Sequence, residues 1–428
     1  MADTLADTLV EAAAATAVRG GTKILLVTNN LPPVRGGSGI VYDNLARHAG
    51  GRIVVLAPRV SYQDALALIG WREHDRLAPY RVIRLDLLRT VMREAAPSRW
   101  HRLRFRLHDA AIRVRLLAAL LRCLLGSRLA GQRVGAVCVG ELVASAWVLG
   151  VLRLLPWVTR AVYVHGEEIT TRDDYDTSLE RRRRALLAAH HIVVVSRFTA
   201  GVVADLLGAA GRDRIRLIEN GVDIARFCPV PRPPDLIALH GLAGCFVFVS
   251  VCRLLEKKGV DQAIRAFAGV VADYPDCRYL VVGDGPYRAA LEALAASCGV
   301  ADRVSFAGAV AEDELIDHYA LGDVFVMPNR RLPNGDTEGF GLVFLEANAC
   351  GLPVIAGSDG GSIDAVRDGN NGLLVDGQSV AAIAAAMAAL RRDPALRARL
   401  REGGLRAAAA ADWRHKAQAF LALFDRAA

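Results

Sequence analysis

Two glutamates, Glu338 and Glu346, enclose two glycines and the predicted start of a helix in the run Glu338-Gly-Phe-Gly-Leu-Val-Phe-Leu-Glu346. Glycines at a helix start let a ligand approach the backbone closely, and the free N–H groups there suit a diphosphate. A carboxylate accepts hydrogen bonds from neighbouring hydroxyls, so Glu338 can bind those of a sugar. Glu346, about two turns into the helix, can bind those of a ribose. Such a spacing also arises by chance, but the surrounding glycines favour a binding site.

Two cations, Arg253 and Lys258, lie in a second segment, Val251-Cys-Arg253-Leu-Leu-Glu-Lys-Lys258-Gly259, which follows a predicted strand and precedes a predicted helix. Cations held at a strand end can bind a negatively charged group without a metal ion. Lys257 is expected to face solvent. The Arg-to-Lys spacing is common by itself, but together with the two glutamates it indicates an anion-binding site.

Two further candidates, Gly37 and His165, follow predicted strands in the first half of the chain. Gly37 belongs to the loop Pro32-Pro-Val-Arg-Gly-Gly-Ser-Gly39, whose glycine order does not fit the dinucleotide pattern G-x-G-x-x-G. A nicotinamide cofactor is therefore disfavoured, and a purely structural turn is the alternative. His165 comes directly after a strand, where ligands of parallel sheets bind, although a lone histidine is more often structural.

Short apolar runs alternate with longer helical stretches, which is typical of parallel sheets covered by helices on both faces. The predicted strands of the first half are 23–28, 53–57, 82–85, 134–139, 161–164 and 192–195, and those of the second are 245–251, 278–283, 304–307, 324–327, 353–356 and 372–375.

The proline-rich run 228–236 is expected to form neither a helix nor a central strand, and it is interpreted as a linker. The sequence thus predicts an α/β protein with two Rossmann-like domains. Its expected parts are a disordered extension over 1–22, a first domain over 23–227, the linker, a second domain over 237–410 and a final helical segment over 411–428 that crosses back to the first domain.

The net charge of +8 is divided unevenly along the chain. Residues 1–230 hold 33 Lys and Arg against 21 Asp and Glu, whereas residues 231–428 hold 20 against 24. The first part is therefore expected to face an anionic partner. The eight cysteines form no C-x-x-C pair and no zinc-site spacing. This predicts a reducing, cytoplasmic compartment without disulfides or a bound metal.

No membrane-spanning helix and no secretory signal are predicted. Residues 1–22 lack a basic start followed by an apolar block, and the longest apolar runs are broken by Glu141 and Arg122.

The segment 325–377 resembles the family 4 retaining glycosyltransferases, in particular the branch similar to bacterial mannosyltransferases that extend phosphatidylinositol mannosides. The residues that carry this resemblance are Pro328, Glu338-Gly-Phe-Gly341, Glu346, Ala349-Cys-Gly-Leu-Pro-Val-Ile355, Gly360-Gly361 and Asn371-Gly372.

The resemblance implies a GT-B fold, in which two Rossmann-like domains face each other across a cleft. It implies a nucleotide diphosphate sugar as donor (GDP-mannose or a UDP-sugar) and a lipid-linked or saccharide acceptor in cell-envelope or exopolysaccharide synthesis, without cofactor or metal. It also implies the catalytic residues His165, Arg253, Lys258 and Glu338. The donor contacts are Arg253, Lys258 and Glu338 with Gly37, Gly339, Phe340, Gly341, Glu346 and Val310.

The stretch Ser98–Arg133 carries nine arginines, one acidic residue and many interleaved leucines. This composition indicates a basic amphipathic helix, or a helix pair, at an anionic lipid surface. It predicts a peripheral protein on the inner face of the cytoplasmic membrane. An ordinary arginine-rich surface helix is the alternative.

Two other functions are compatible with parts of this pattern. A sugar-nucleotide epimerase can share the two-domain architecture, and a non-enzymatic basic module could bind membrane or nucleic acid. The combination of Arg253, Lys258, Glu338 and Glu346 argues against the epimerase. The sequence also lacks a nucleic-acid motif and the interleaved aromatics that stack bases, so no nucleic-acid partner is expected.

Overall fold

The computed structural model describes residues 21–34, 36–61, 66–90, 98–129, 134–171 and 179–425. Most of the extension predicted over 1–22 lies outside these ranges. Contacts divide the chain into two compact units. The first comprises Met1–Tyr163, Glu180–Val193 and Ala417–Ala428, and the second comprises Val164–Leu179 and Val194–Lys416.

The first sheet has seven strands in the order β3-β2-β1-β4-β5-β6-β7. Strand β1 pairs in parallel with β2 on one side and with β4 on the other, so the chain reverses its direction of winding beside β1. The strands are β1 Lys23–Val27, β2 Ile53–Pro58, β3 Arg81–Leu85, β4 Val134–Val139, β5 Thr159–Val164, β6 His191–Val194 and β7 Ile215–Leu217.

The second sheet has six parallel strands in the order β10-β9-β8-β11-β12-β13, with the reversal between β8 and β11. Both of these central strands are fully buried, as continuous apolar runs of parallel sheets are. The strands are β8 Phe246–Val251, β9 Cys277–Val282, β10 Val304–Gly308, β11 Val324–Met327, β12 Val354–Gly357 and β13 Gly372–Val375.

Helices connect the strands in both sheets. Those up to β7 are α1 Gly37–Arg47, α2 Trp71–Leu77, α3 Arg99–Leu129, α4 Leu142–Leu152, α5 Glu167–Thr170, α6 Glu180–Ala188 and α7 Arg197–Leu207. Those that follow are α8 Pro234–His240, α9 Val260–Asp273, α10 Arg288–Ser297, α11 Leu315–Ala320, α12 Leu342–Ala349, α13 Ser362–Ala365, α14 Val380–Arg392, α15 Pro394–Ala410 and α16 Trp413–Ala422. Two 3₁₀ helices cover Gly208–Arg214 and Glu256–Lys258.

The predicted strands are confirmed within one or two residues at their ends. The prediction that 228–236 forms no helix is wrong at its end, because α8 begins at Pro234. Proline suits the first turn of a helix, where its missing N–H would have no partner. None of the helices in the described ranges is long and apolar enough to cross a membrane.

The unit boundaries differ from the predicted domain boundary at residue 227. Val164–Leu179 belong to the second unit together with everything from Val194 to Lys416. Residues from Ala417 onward belong to the first unit, where Phe420 packs against Tyr163 with ring centroids 6.0 Å apart. His165 is therefore part of the same unit as the second sheet.

Candidate active site

The loop that carries Glu338 lies directly against the turn that carries His165. A Cβ atom on Gly339 would lie 1.9 Å from the backbone oxygen of His165, and one on Gly166 would lie 3.2 Å from the Cα of Gly339. Only glycine allows two backbones to approach so closely. This contact brings His165 to the Glu338 loop although the two are far apart in the sequence.

The glycine pair Gly360-Gly361 supports the opposite side of the same loop. The N–H of Gly361 donates to the backbone oxygen of Glu338 at 2.8 Å. A Cβ on Gly361 would lie 1.9 Å from the oxygen of Gly339. The Glu338–Gly339 backbone is thus enclosed between two glycine-containing segments, which explains why these glycines accompany the glutamate.

Lys258 and Glu338 form an ion pair at this point. The Nζ of Lys258 lies 2.5 Å from Oε2 of Glu338, with side chains 15% and 13% exposed. Burial alone would lower the pKa of Lys258, but the Glu338 carboxylate holds it above its usual value. Burial alone would raise the pKa of Glu338, but the Lys258 ammonium holds it below its usual value. Both groups are therefore charged at neutral pH.

Arg253 follows β8 and is exposed. Its backbone neighbours are fixed, because a Cβ on Gly283 would lie 1.9 Å from the oxygen of Cys252 and the N–H of Leu254 donates to the oxygen of Asp284 at 3.0 Å. Among the described residues its guanidinium has no ion-pair or hydrogen-bond partner. Its backbone is therefore held at the carboxyl end of a central strand, while its guanidinium is available to bind an anion.

Glu346 is buried in α12, where the hydroxyl of Tyr319 donates to its Oε2 at 2.8 Å. Burial raises the pKa of this carboxyl, and the Tyr319 hydrogen bond opposes the rise. The Tyr319 hydrogen bond thus fixes one carboxylate oxygen of Glu346. Sequence reasoning missed Tyr319, because nothing in the pattern of α11 indicates which helix face meets Glu346.

The imidazole of His165 lies in a desolvated environment. Burial lowers the pKa of His165 to about 3, so the ring is neutral at physiological pH. The backbone N–H of His165 donates to Oε1 of Glu168 at 3.0 Å. A neutral imidazole can exchange hydrogen bonds with a sugar hydroxyl, whereas it has little tendency to take up a proton.

The expectation that Lys257 faces solvent is wrong. Its side chain is only 9% exposed, and its Nζ lies 2.8 Å from Oδ1 of Asp336. The carboxylates of the 336–338 segment thus bind both consecutive lysines. A sequence pattern alone cannot tell which lysine pairs with which carboxylate.

The remaining predicted site residues differ in their surroundings. Gly341 precedes α12, and Val310 is half-buried just after β10. Phe340 is buried and lines a cavity of about 320 Å³ together with Asn220 and Lys416. Gly37 opens α1 in the first unit, while the other predicted site residues belong to the second. Within the described ranges, no group of three or more His, Cys, Asp or Glu side chains is arranged to hold a metal ion.

Two doubly wound parallel sheets in one chain are the architecture of a GT-B protein, and the second sheet carries cations and carboxylates near the carboxyl ends of its strands. Solved structures agree with this fold. Sucrose-phosphate synthase from Thermosynechococcus elongatus superposes with a TM-score of 0.72 at 24% identity, covering 94% of this chain and 98% of that one. HepE from Anabaena, in complex with UDP and glucose, superposes with a TM-score of 0.69 at 20% identity, covering 94% and 99%.

The sequence comparisons identify the family. The model of "Glycosyl transferases group 1" matches residues 243–406. A GDP-mannose-dependent alpha-(1-6)-phosphatidylinositol monomannoside mannosyltransferase from Mycobacterium tuberculosis is 35% identical over 386 residues, which cover 87% of this chain and 90% of that protein. A GDP-mannose-dependent monoacylated alpha-(1-6)-phosphatidylinositol monomannoside mannosyltransferase from Corynebacterium glutamicum is 30% identical over 91% of this chain and 94% of its own length. The chain belongs to the group 1 glycosyltransferases, which confirms the predicted enzyme class over the epimerase and the binding module.

Proposed function

We propose that this glycosyltransferase moves a mannosyl group from GDP-mannose to a glycolipid acceptor of the phosphatidylinositol mannoside type. In this proposal it retains the anomeric configuration and uses no metal ion. The observation that carries the proposal is the Lys258–Glu338 ion pair, held against the His165 turn by Gly339. The choice of donor and acceptor is supported by the two mannosyltransferases to which the chain is similar over nearly its whole length.

The donor binds at the carboxyl ends of β8 and β11 in this proposal. Arg253 and Lys258 neutralise its diphosphate, and the backbone N–H groups at the start of α12, beside Gly341, add positive potential. Further along the donor, Glu346 binds the ribose and Val310 lies near the base. The two cations supply the charge stabilisation for which other enzymes use a metal.

At the sugar end, Glu338 and neutral His165 bind hydroxyls and orient the ring. An acceptor hydroxyl attacks the anomeric carbon from the face on which the diphosphate leaves, so that the new glycosidic C–O bond replaces the bond to phosphate. The hydroxyl proton passes to an oxygen of the departing diphosphate. Arg253 and Lys258 stabilise the negative charge that develops there.

Thermal unfolding with a panel of nucleotide diphosphates and their sugars tests the donor site. We expect GDP and GDP-mannose to raise the melting temperature by roughly 3–5 °C at about one hundred times Kd, because they bind only the folded state. Uridine and adenosine nucleotides should shift it less. The Lys258→Ala variant should lose most of the shift. Arg399→Ala, which removes an exposed cation of α15, is the control and should keep it. Equal shifts in both variants would contradict the diphosphate site.

The long helix α3 supports a membrane-bound acceptor. One face of its second half, formed by Ile112, Leu116, Leu120 and Leu124, is buried in the unit. Another set of apolar side chains is exposed, namely Trp100 (76%), Leu103 (46%), Leu107 (63%) and Val114 (66%). At 3.6 residues per turn the two sets lie on roughly opposite faces of the helix. The exposed apolar stripe therefore faces away from the core against which α3 packs.

Cations accompany the exposed stripe. Arg99, Arg102, Arg104 and Arg106 are all exposed in the first two turns of α3. An apolar stripe flanked by arginines fits the interface of a leaflet that contains anionic lipids. We infer that α3 holds the enzyme peripherally on the inner face of the cytoplasmic membrane, where a glycolipid acceptor resides. Arg133, at the end of the predicted basic segment, lies outside the described residues.

Removing three of these cations tests the membrane contact. The variant with Arg102, Arg104 and Arg106 changed to Gln should bind vesicles of phosphatidylglycerol and phosphatidylcholine roughly 100-fold more weakly, since each charge contributes about 1 kcal/mol. The control carries Gln at Arg392, Arg399 and Arg401, three exposed arginines of the second unit, and should bind normally. Co-sedimentation measures the vesicle binding of both variants. Unchanged binding of the first variant would show that α3 is an ordinary surface helix.

A further inference from the structure

Lys257 is a buried cation for which the proposed mechanism has no use. Its Nζ lies 2.8 Å from Oδ1 of Asp336 and 3.5 Å from Oε2 of Glu167. Asp336 is 20% exposed at its side chain, whereas Glu167 is 71% exposed, so the Asp336 pair is the stronger contact. Both carboxylates belong to segments that carry proposed site residues.

Lys257 contacts both ends of the loop 330–336. Its main chain binds the start of the loop, and its side chain binds the end. The backbone N–H of Arg330 donates to the oxygen of Lys257 at 2.9 Å. Between these two points the loop closes on itself, because the N–H of Leu332 donates to the oxygen of Asp336 at 2.8 Å. One residue thus fixes both ends of the 330–336 loop, and Glu338 follows its second end by two positions.

The same loop also contacts the segment that follows His165. A Cβ on Gly335 would lie 2.4 Å from the backbone oxygen of Thr170, at the end of α5. Glu167, which opens α5, faces the ammonium of Lys257. The segment 330–339 therefore contacts the segment 165–170 at two places, Gly339 against His165 and Gly335 against Thr170.

From these contacts we infer that Lys257 is a positioning residue. It holds the Arg253–Lys258 segment, the Glu338 loop and the His165 turn in the relative positions that transfer requires. The inference rests on the proposed function, because it assumes that those three segments bind the donor. A buried ion pair contributes little net stability compared with an apolar pair of similar volume. Its distinct contribution is a fixed geometry, and a misplacement of about 1 Å in a reacting group can cost roughly 100-fold in rate.

The decisive variant removes the ion pair without leaving a buried charge. Lys257→Met combined with Asp336→Leu should fold and melt close to the wild-type temperature. Its kcat for transfer from GDP-mannose to phosphatidylinositol monomannoside should fall about 10- to 100-fold, with the donor KM changed less than about threefold. The single variant Lys257→Arg, which keeps the charge, should retain most of the wild-type kcat.

A matched pair of substitutions controls for the loss of any ion pair in this unit. Arg391 and Asp276 lie 2.6 Å apart at the amino end of β9, opposite the site. Arg391→Met combined with Asp276→Leu should leave kcat unchanged. If the Lys257/Asp336 double variant does not fold, Asp336→Asn alone, which preserves side-chain shape, should still lower kcat and not KM.

The possible outcomes separate the positioning role from the proposed function. Wild-type kcat in the folded double variant, or a change in KM alone, would overturn the positioning role. If Arg253→Ala were fully active in the same assay, the proposed donor site itself would be wrong. If Arg253→Ala is inactive while the double variant is fully active, the donor site stands and only the role of Lys257 falls.

Discussion

Replacing Arg253 by alanine is expected to lower kcat for glycosyl transfer by roughly 1,000-fold while changing the melting temperature by less than about 1 °C. The guanidinium is exposed and without a partner among the described residues, so its removal breaks no contact that stabilises the fold. In the proposed mechanism it faces the charge that develops on the departing diphosphate. The loss should therefore be larger in kcat than in the donor KM. Steady-state kinetics and a thermal melt on the same preparation measure both quantities.

Arg399→Ala is the control for this prediction. Arg399 is also exposed in the second unit, but it lies on α15, far along the chain from the proposed site segments. Its removal should leave kcat and the melting temperature unchanged. Comparable kcat for the Arg253 and Arg399 variants would remove Arg253 from the mechanism and leave Lys258 as the proposed phosphate cation.

Gly339→Ala is expected to lower the rate of transfer by at least about 100-fold, although the change adds only one methyl group. The new Cβ would lie 1.9 Å from the backbone oxygen of His165, and neither backbone can move away easily. Gly361 blocks the opposite direction, since it already contacts the oxygen of Gly339. The Glu338 loop and the His165 turn must therefore separate. The donor-induced thermal shift should be lost together with transfer.

Gly201→Ala distinguishes this steric effect from a general effect of alanine. Gly201 lies within α7 of the same unit, and nothing lies within 4 Å of the Cβ that would be added. Alanine in a helix interior should stabilise the protein by about 0.5–1 kcal/mol. Full activity of this variant beside an inactive Gly339→Ala variant would place the effect at the His165 contact. An active Gly339→Ala variant would show that the contact is not needed for catalysis.

Local patterns were sufficient for much of the fold. Buried parallel strands such as β8 and β11 are continuous apolar runs, and such runs are visible without any knowledge of their partners. The segment 228–236 shows where this approach is weaker. Its prolines ended regular structure as expected up to Pro233, but proline also suits a helix start, and α8 begins at Pro234.

The proposed class of site was also suggested by the sequence, because the binding of a diphosphate and of hydroxyls requires particular residue types near glycines and helix starts. Arg253, Lys258, Glu338 and Glu346 could be named from those requirements and from the family resemblance. The comparisons confirm the family and thereby the enzyme class. The role of each residue stays a prediction that the variants above test.

By itself, then, the sequence determined the alternating α/β architecture and the family, and it named the segments proposed to form the site. Only the tertiary structure decided how neighbouring or identical side chains differ. Of two adjacent lysines, Lys258 binds Glu338 and Lys257 binds Asp336. Of two arginines near the site, Arg253 is free among the described residues, whereas Arg330 is buried against Asp261 at 2.7 Å. The physical reason is that burial and pairing depend on groups brought close by folding from distant parts of the chain, and no local pattern contains those distances.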